Sequence, residues 1–291
     1  MIAVMGATGS TGNALLHTLT AQGVPCRALA RTPQKLRGTI TAVAPIEVAY
    51  ADAAHPRSLR AGLKGCDQLF LSMANGPDQV ELETAVIDAA TAIGVGHLVK
   101  LSAPAAEPDS PVGVSRCHAA IEAHLAATIP RVSILRPYAF MQKLLLLAPA
   151  VAATGAIISA MGAAPCNYVD VRDIADVAAA VLTQPEAAGA TYELTGGRAV
   201  SHPELAALLT SLTGRPVTSV DLDPAEFHAH LVRTAGMPDW LARHIVEIQR
   251  LAVTRPESPN AVIEAVLGRA PRSLEDFLTE NRAAFRQPAG S

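Results

Sequence analysis

No run of lysine and arginine stands anywhere in this 291-residue chain: 23 basic residues are scattered against 26 acidic ones, for a formal net charge of −3. Neutralising a phosphate backbone takes clustered cations, so no direct nucleic-acid partner is expected. Cysteine is scarce as well. Cys26, Cys66, Cys117 and Cys166 stand far apart and form no Cys-x-x-Cys pair, which predicts neither a metal site nor a disulfide framework but free thiols in a reducing, cytoplasmic setting. The first residues, Met1-Ile-Ala-Val-Met5, lack a charged n-region, and no signal peptide is expected. One stretch, Leu144 to Cys166, has no charge at all, but Pro149, Gly155, Gly162 and Pro165 interrupt it. It reads as a buried helix followed by a short hairpin rather than a membrane span.

What the chain does have is core-forming material, with 50% hydrophobic residues. Short apolar runs alternate with helix-period segments as far as about residue 195, the pattern of a parallel sheet covered on both faces. Strands are predicted at Ile2–Met5, Val24–Ala30, Ile46–Ala49, Gln68–Ser72, His97–Ser102 and Val132–Arg136, with later ones near Asn167–Val169 and Tyr192–Thr195. The clearest helix runs from Asp78 to Ile93, with Leu82, Val86, Ala89 and Ile93 along one face and Gly94 ending it. After Gly196-Gly197 the pattern changes to helices only: Ser201-His-Pro-Glu204 is a capping box, while Asp223-Pro224 and Ser273-Leu-Glu-Asp276 open further helices. The fold class is therefore α/β, a doubly wound parallel sheet with a small, mainly helical C-terminal lobe. The division is placed at 1–196 for the sheet domain and 197–291 for the lobe.

Gly6-Ala-Thr8-Gly9-Ser10-Thr11-Gly12 follows the first strand and opens a helix. Glycines there let the backbone approach a pyrophosphate, and the helix offers unpaired N–H groups and its positive dipole end. The second strand ends Ala28-Leu-Ala30-Arg31, without the carboxylate that would bind the ribose hydroxyls of NAD. Arg31 instead suits a 2′-phosphate, so NADP(H) is the expected cofactor. Asp52, just past the third strand, is a candidate for the adenine amino group or else a cap for the next helix. Ser72, Met73 and Ala74 close the fourth strand and are placed with the cofactor site by strand-end logic, as are Ser102 and Pro137 after the fifth and sixth.

These segments, together with His97-Leu-Val-Lys-Leu-Ser102, His118-Ala-Ala-Ile-Glu122, Ile134-Leu-Arg-Pro-Tyr-Ala-Phe-Met141, Asp170-Val-Arg-Asp-Ile-Ala-Asp-Val177 and Gly268-Arg-Ala-Pro-Arg-Ser-Leu-Glu-Asp-Phe277, resemble the NmrA-like branch of the atypical short-chain dehydrogenases over nearly the whole chain. That branch includes quinone, azo-dye and triarylmethane-dye reductases and also non-catalytic redox sensors. The resemblance implies a Rossmann-type fold, NADP(H) in the glycine cleft, and a substrate pocket between the sheet and the C-terminal lobe.

The Tyr-x-x-x-Lys dyad of ordinary short-chain dehydrogenases is missing: four residues beyond Tyr50, Tyr138, Tyr168 and Tyr192 stand Ala54, Gln142, Arg172 and Gly196. Four candidates remain for the chemistry. His118 and Glu122, four apart on one helix face, form either a proton-donating pair, the carboxylate raising the imidazole pKa, or an ordinary helix-surface pair or a tie between helix and loop. Ser102 either orients the nicotinamide or substrate or bonds the backbone. Tyr138 either stacks on a flat acceptor and donates to its oxygen or belongs to the core. The expected activity is hydride transfer from NADPH to a small, planar, electron-poor acceptor such as a quinone, imine, enone or dye, which needs no obligate protein proton donor. The alternative is an NADP(H)-binding sensor without turnover. A small-molecule acceptor is the expected partner, with no membrane association, the chain acting as a monomer or homodimer.

Overall fold

The computed structural model describes residues 1–36, 40 and 42–286. In chain order the strands are β1 (Ile2–Met5), β2 (Cys26–Ala30), β3 (Glu47–Tyr50), β4 (Gln68–Leu71), β5 (His97–Leu101), β6 (Arg131–Pro137), β7 (Ala139–Phe140), β8 (Ala156–Ser159), β9 (Cys166–Val169), β10 (Thr191–Leu194), β11 (Ala199–Val200) and β12 (Thr218–Asp221). The helices are α1 (Ser10–Ala21), α2 (Pro33–Leu36), α3 (Pro56–Leu63), α4 (Gln79–Ala92), α5 (Gly113–Thr128), α6 (Ala148–Thr154), α7 (Val171–Thr183), α8 (His202–Thr213), α9 (Pro224–Arg233), α10 (Asp239–Thr254), α11 (Val262–Leu267) and α12 (Leu274–Glu280).

A seven-stranded sheet in the order β10-β6-β5-β4-β1-β2-β3 forms the frame, and all its pairings are parallel. Parallel strands are covered on both faces, which is why β1 is buried at every residue. One face packs against α1, α7 and α11 through Leu15, Leu16, Leu19, Ile174, Val177, Val181 and Ile263. The other packs against α3, α4 and α5 through Leu59, Leu63, Val86, Ile87, Ile121 and Leu125. A fully buried leucine stabilises the fold by roughly 2 kcal/mol relative to its exposed state, so α1 alone is held by several kcal/mol of apolar contact. The strand order reverses between β1 and β4, and a doubly wound sheet opens its binding crevice at the carboxyl ends of the strands at that point.

The second lobe has its own core of Met141, Leu144, Val151, Ile157, Tyr168, Leu205, Leu209, Ala252, Phe277 and Leu278. It is not simply the chain after residue 196. The segment 139–169 joins it, whereas α11 returns to pack on α7. Nor is the lobe purely helical, because β12 pairs in parallel with β8, and β11 and β7 flank β9. The expected hairpin after α6 is absent for the same reason: β8 and β9 find partners in β12 and in β7 and β11 rather than in each other. Residues 287–291 of the expected lobe lie outside the described residues.

Two of the quoted motifs meet here. Buried Asp173 on α7 accepts from Arg269 Nη2 at 2.8 Å, from the Arg272 backbone N–H at 2.7 Å and from the Arg272 guanidinium. Asp176 takes the same two arginines at 2.6 and 3.1 Å. The chain leading into α12 is thus clamped to the sheet domain. Ser201, Asp223 and Ser273 cap α8, α9 and α12 through their side chains, the first as a full capping box. Among the described residues, no helix is long and apolar enough to cross a membrane.

Candidate active site

The glycine turn lies at the β1/β4 reversal, and its three glycines do different work. A Cβ on Gly12 would sit 2.3 Å from the Gly6 carbonyl oxygen, and one on Gly6, whose φ is +89°, would sit 1.8 Å from the Ser72 carbonyl oxygen. Those two are required by backbone packing alone. Gly9 has an ordinary φ of −74°, and a Cβ there would meet only the Gly6 oxygen, at 3.2 Å, with nothing else within 4 Å. It is the position where backbone is bare toward the crevice. Gly9 is also the N-cap of α1, and this helix starts with no side-chain cap and no acidic residue in its first turn. Its first amides therefore face the crevice without a carboxylate to answer them. Thr8 and Ser10 are exposed beside it, while Thr11 is buried. A bare backbone cradle at an uncapped helix start suits a pyrophosphate.

Arg31 is exposed immediately past β2 and makes no ion pair among the described residues. Asp52 is engaged locally: Oδ1 accepts from the Ala54 N–H at 3.1 Å, and Oδ2 lies 3.3 Å from His55 Nδ1. Half-buried Ser72 and Met73 and exposed Ala74 follow β4 at the mouth of the crevice.

His118 and Glu122 do not form a pair. Glu122 turns toward β6, where Arg136 donates to both its oxygens at 3.1 and 2.5 Å and the Ser102 hydroxyl donates to Oε1 at 2.5 Å. Arg136 continues to Glu193 on β10 at 3.2 Å. The Ser102 hydroxyl is thus spent on tying the end of β5 to α5. His118 turns the other way, into the interface of β5, α4 and α5. Its Nδ1 lies 3.1 Å from Lys100 Nζ and its Nε2 3.2 Å from the Gln79 side-chain amide. Lys100, fully buried, is 2.7 Å from Glu83 Oε2 and donates to the Leu101 carbonyl at 2.6 Å; Gln79 also donates to Glu83 Oε1 at 2.9 Å. Burial, then the charges of Lys100 and His244, hold the His118 pKa well below its ordinary value. The expectation of a carboxylate-raised imidazole is therefore corrected in both partner and sign, because i,i+4 spacing aligns two Cβ atoms but does not decide which neighbour each side chain reaches.

Pro137 ends β6 and is buried, as is Tyr138, whose backbone N–H donates to the Leu194 carbonyl at 3.2 Å. The Tyr138 hydroxyl is buried without a hydrogen-bond partner, an open donor among Met141, Cys166 and Tyr168 at the junction with the lobe. Tyr168 itself reaches His202 Nε2 at 3.3 Å. The segment Arg255-Pro-Glu-Ser-Pro-Asn260, which sequence reasoning passed over, crosses this junction between α10 and α11. Arg255 makes two hydrogen bonds, of 3.1 and 3.0 Å, to Glu107 in the β5–α5 loop. At its other end the Asn260 N–H donates to Thr195 Oγ1 at 2.9 Å, and its side chain donates to the Glu193 carbonyl at 3.0 Å. Glu257, between these anchors, has an oxygen that is buried and without a partner. Sequence reasoning also passed over Lys100, Gln79, Glu83 and Arg136; a lysine inside the strand His97-Leu-Val-Lys-Leu101 was the available signal.

A doubly wound sheet with a bare glycine cradle at its crossover and a second lobe over the carboxyl ends of its strands defines a dinucleotide-binding α/β protein. More particularly, the chain belongs to the NmrA-like family, whose model matches residues 1–279. It is 33% identical over 290 residues to the NAD(P)H azoreductase of Xenophilus azovorans, covering 98% of this chain and 99% of that protein. It is also 33% identical over 245 residues to quinone oxidoreductase 2 of Escherichia coli strain K12, covering 83% and 84%. The crystal structure of the NADPH-dependent quinone oxidoreductase QOR2 from Escherichia coli complexed with NADPH superposes with a TM-score of 0.84 at 29% identity, covering 97% of this chain and 99% of that one.

Proposed function

We propose that this protein is an NADPH-dependent oxidoreductase that passes hydride to a small, planar, electron-poor acceptor of the quinone or dye class. The observation that carries the cofactor is the cradle: α1 begins uncapped, Gly9 leaves backbone bare, and the residue immediately past β2 is the exposed Arg31. Gly6, Thr8, Gly9, Ser10, Thr11 and Gly12 hold the pyrophosphate, Arg31 the 2′-phosphate, Asp52 the rim of the adenine site, and Ser72, Met73, Ala74 and Pro137, with the backbone at Ser102, whose hydroxyl is engaged by Glu122, the nicotinamide half. When bound, NADPH supplies the hydride. The named relatives act as an NAD(P)H azoreductase and a quinone oxidoreductase, and the missing Tyr-x-x-x-Lys dyad fits acceptors that take hydride without alkoxide chemistry.

The side chains contribute shape and order. Ser102, Glu122 and Arg136 lock β5, α5 and β6 together at the carboxyl edge, and Pro137 with Tyr138 forms the wall that a flat acceptor stacks on. Free thiols, with Cys26, Cys66 and Cys166 buried, suit a reducing cytoplasm. We read the chain as a monomer or homodimer with no nucleic-acid partner. The reading is tested by following NADPH oxidation with a quinone, a cationic triarylmethane dye and a secondary-alcohol control: turnover of the first two without the third supports it, and tight NADPH binding with no turnover of any acceptor overturns it in favour of a sensor.

A further inference from the structure

We propose that Glu257 is the proton donor of this site, delivering its carboxyl proton, beside Tyr138, to acceptors left with a negative heteroatom after hydride addition. The proposal rests on the reductase reading above and adds a residue to it.

The geometry begins with the strap 255–260. It is pinned at one end to the β5–α5 loop through Arg255 and Glu107 and at the other to the carboxyl end of β10 through Asn260. A chain held at those two points spans the carboxyl edge of the sheet, the side on which the cofactor cradle opens, and it carries Glu257 inward at its middle. The carboxyl oxygen Oε2 is buried and unpartnered, and so is the hydroxyl of Tyr138, which is nine-tenths buried. A buried polar atom left unsatisfied forfeits the hydration it had in water unless something answers it. A substrate heteroatom that meets both would answer them.

The titratable and charged groups within electrostatic reach of Glu257 are Glu193 from β10, Arg255 from its own strap, Tyr138 from the end of β6 and Cys166 from β9. Burial, with Glu193 adding to it and Arg255 opposing, lifts the Glu257 pKa to about 7. A general acid serves best when its pKa lies near the working pH. Tyr138 and Cys166 are pushed up to neutral forms, so neither competes as the acid near neutrality. His118, one of the donors weighed from the sequence, is buried against Lys100.

The step balances. A quinone that has taken hydride, and so two electrons, is a hydroquinone monoanion. The Glu257 O–H bond breaks, its proton forms the second phenolic O–H, and the carboxylate left behind regains a proton from solvent before the next turnover. An azo acceptor needs the same proton at nitrogen. A cationic triarylmethane dye takes hydride at its central carbon and becomes neutral, with no proton required.

The test compares wild type with Glu257→Gln and Glu257→Asp. In the purified protein without cofactor, infrared difference spectra are recorded from pH 5 to 9; we expect a protonated-carboxyl band that disappears around pH 7 in wild type and is absent from Glu257→Gln. In turnover, the quinone-to-dye rate ratio of Glu257→Gln should fall at least about tenfold, since general acids contribute about 10² to 10⁴. The wild-type decline in quinone turnover above neutral pH should vanish with it, and Glu257→Asp should recover part of the ratio. An unchanged ratio in a folded Glu257→Gln, or a Glu257 band already gone at pH 5, overturns the assignment while leaving the reductase reading intact. No turnover of either acceptor by wild type overturns that reading and this assignment together.

Discussion

Replacing glycines of the first turn one at a time separates cofactor contact from backbone necessity. Gly12→Ala places a methyl group 2.3 Å from the Gly6 carbonyl oxygen, and both atoms belong to main chain that is fixed by β1 and α1. Relief requires the backbone to move, and forced overpacking of this kind costs about 1 to 3 kcal/mol or more, which for a protein of this length lowers Tm by about 2 to 4 °C per kcal/mol. Gly9→Ala meets only one atom at 3.2 Å and keeps an allowed φ of −74°, so its stability should stay within about 1 kcal/mol of wild type, the ordinary scale of an N-cap change. Its methyl group, however, stands where pyrophosphate lies against the backbone. We expect NADPH affinity to fall at least tenfold, about 1.4 kcal/mol, and to be lost in Gly9→Val. Thermal unfolding without ligand and calorimetric titration with NADPH read the two effects separately. Gly9→Ala protein as unstable as Gly12→Ala, or folded Gly9→Val with wild-type affinity, would refute the assignment of the cradle.

Three further outcomes follow from the same contacts. Arg31→Ala should weaken NADPH about tenfold or more, the worth of a charge-assisted pair at roughly 1.5 to 3 kcal/mol, while NADH changes little; equal losses for both in parallel titrations would place the 2′-phosphate elsewhere. Acid should destabilise the protein early: burial, and next the charge of Arg131, lowers the His97 pKa to about 4, and His118 is also held low. Such histidines stay neutral when folded but take protons when unfolded, so their contribution is whole above about pH 6.5 and is lost as pH falls, for His97 down to about pH 4 and about 3 kcal/mol in all. Urea midpoints that do not move between pH 7 and 5 would contradict this. Asp173→Ala leaves Arg269 and Arg272 without their buried acceptor and should cost about 2 kcal/mol or more, seen as a lower Tm; an unchanged Tm would show that the clamp adds nothing.

The sheet was legible because β1, β2, β4, β5 and β6 carry short, mainly apolar runs punctuated by helices, and strand ends deviated from expectation by a residue or two. The lobe was not, because its strands are short and pair across long stretches of chain: Thr218-Ser-Val-Asp221 has no apolar alternation, and its register with Ala156–Ser159 exists only in three dimensions. Polar residues inside the core are what the helix reading missed. On α4 the expected stripe does face the core, with Val86 and Ala89 buried and Leu82 and Ile93 packed against it, but Gln79 and Glu83 are buried beside Val86, Ile87, Ala89 and Ala90, and apolar spacing alone does not announce them. The same cause hid the correct partner of His118, since Lys100 is buried by tertiary packing that no periodicity announces. Glu257 sits in a Pro-containing, charged loop that reads as a linker, and only its two anchors turn it inward. Gly9, by contrast, was legible from the strand before it and the helix after it.

The most direct test of the central claim is steady-state NADPH oxidation by the purified wild-type chain, with a quinone and a secondary alcohol supplied in separate assays in the matching redox direction. The account predicts saturable NADPH oxidation with the quinone, no reduction of NADP⁺ by the alcohol, and loss of the quinone activity in Gly9→Val. Tight NADPH binding with no turnover of the quinone or any other planar acceptor, or alcohol oxidation at a comparable rate, would contradict it.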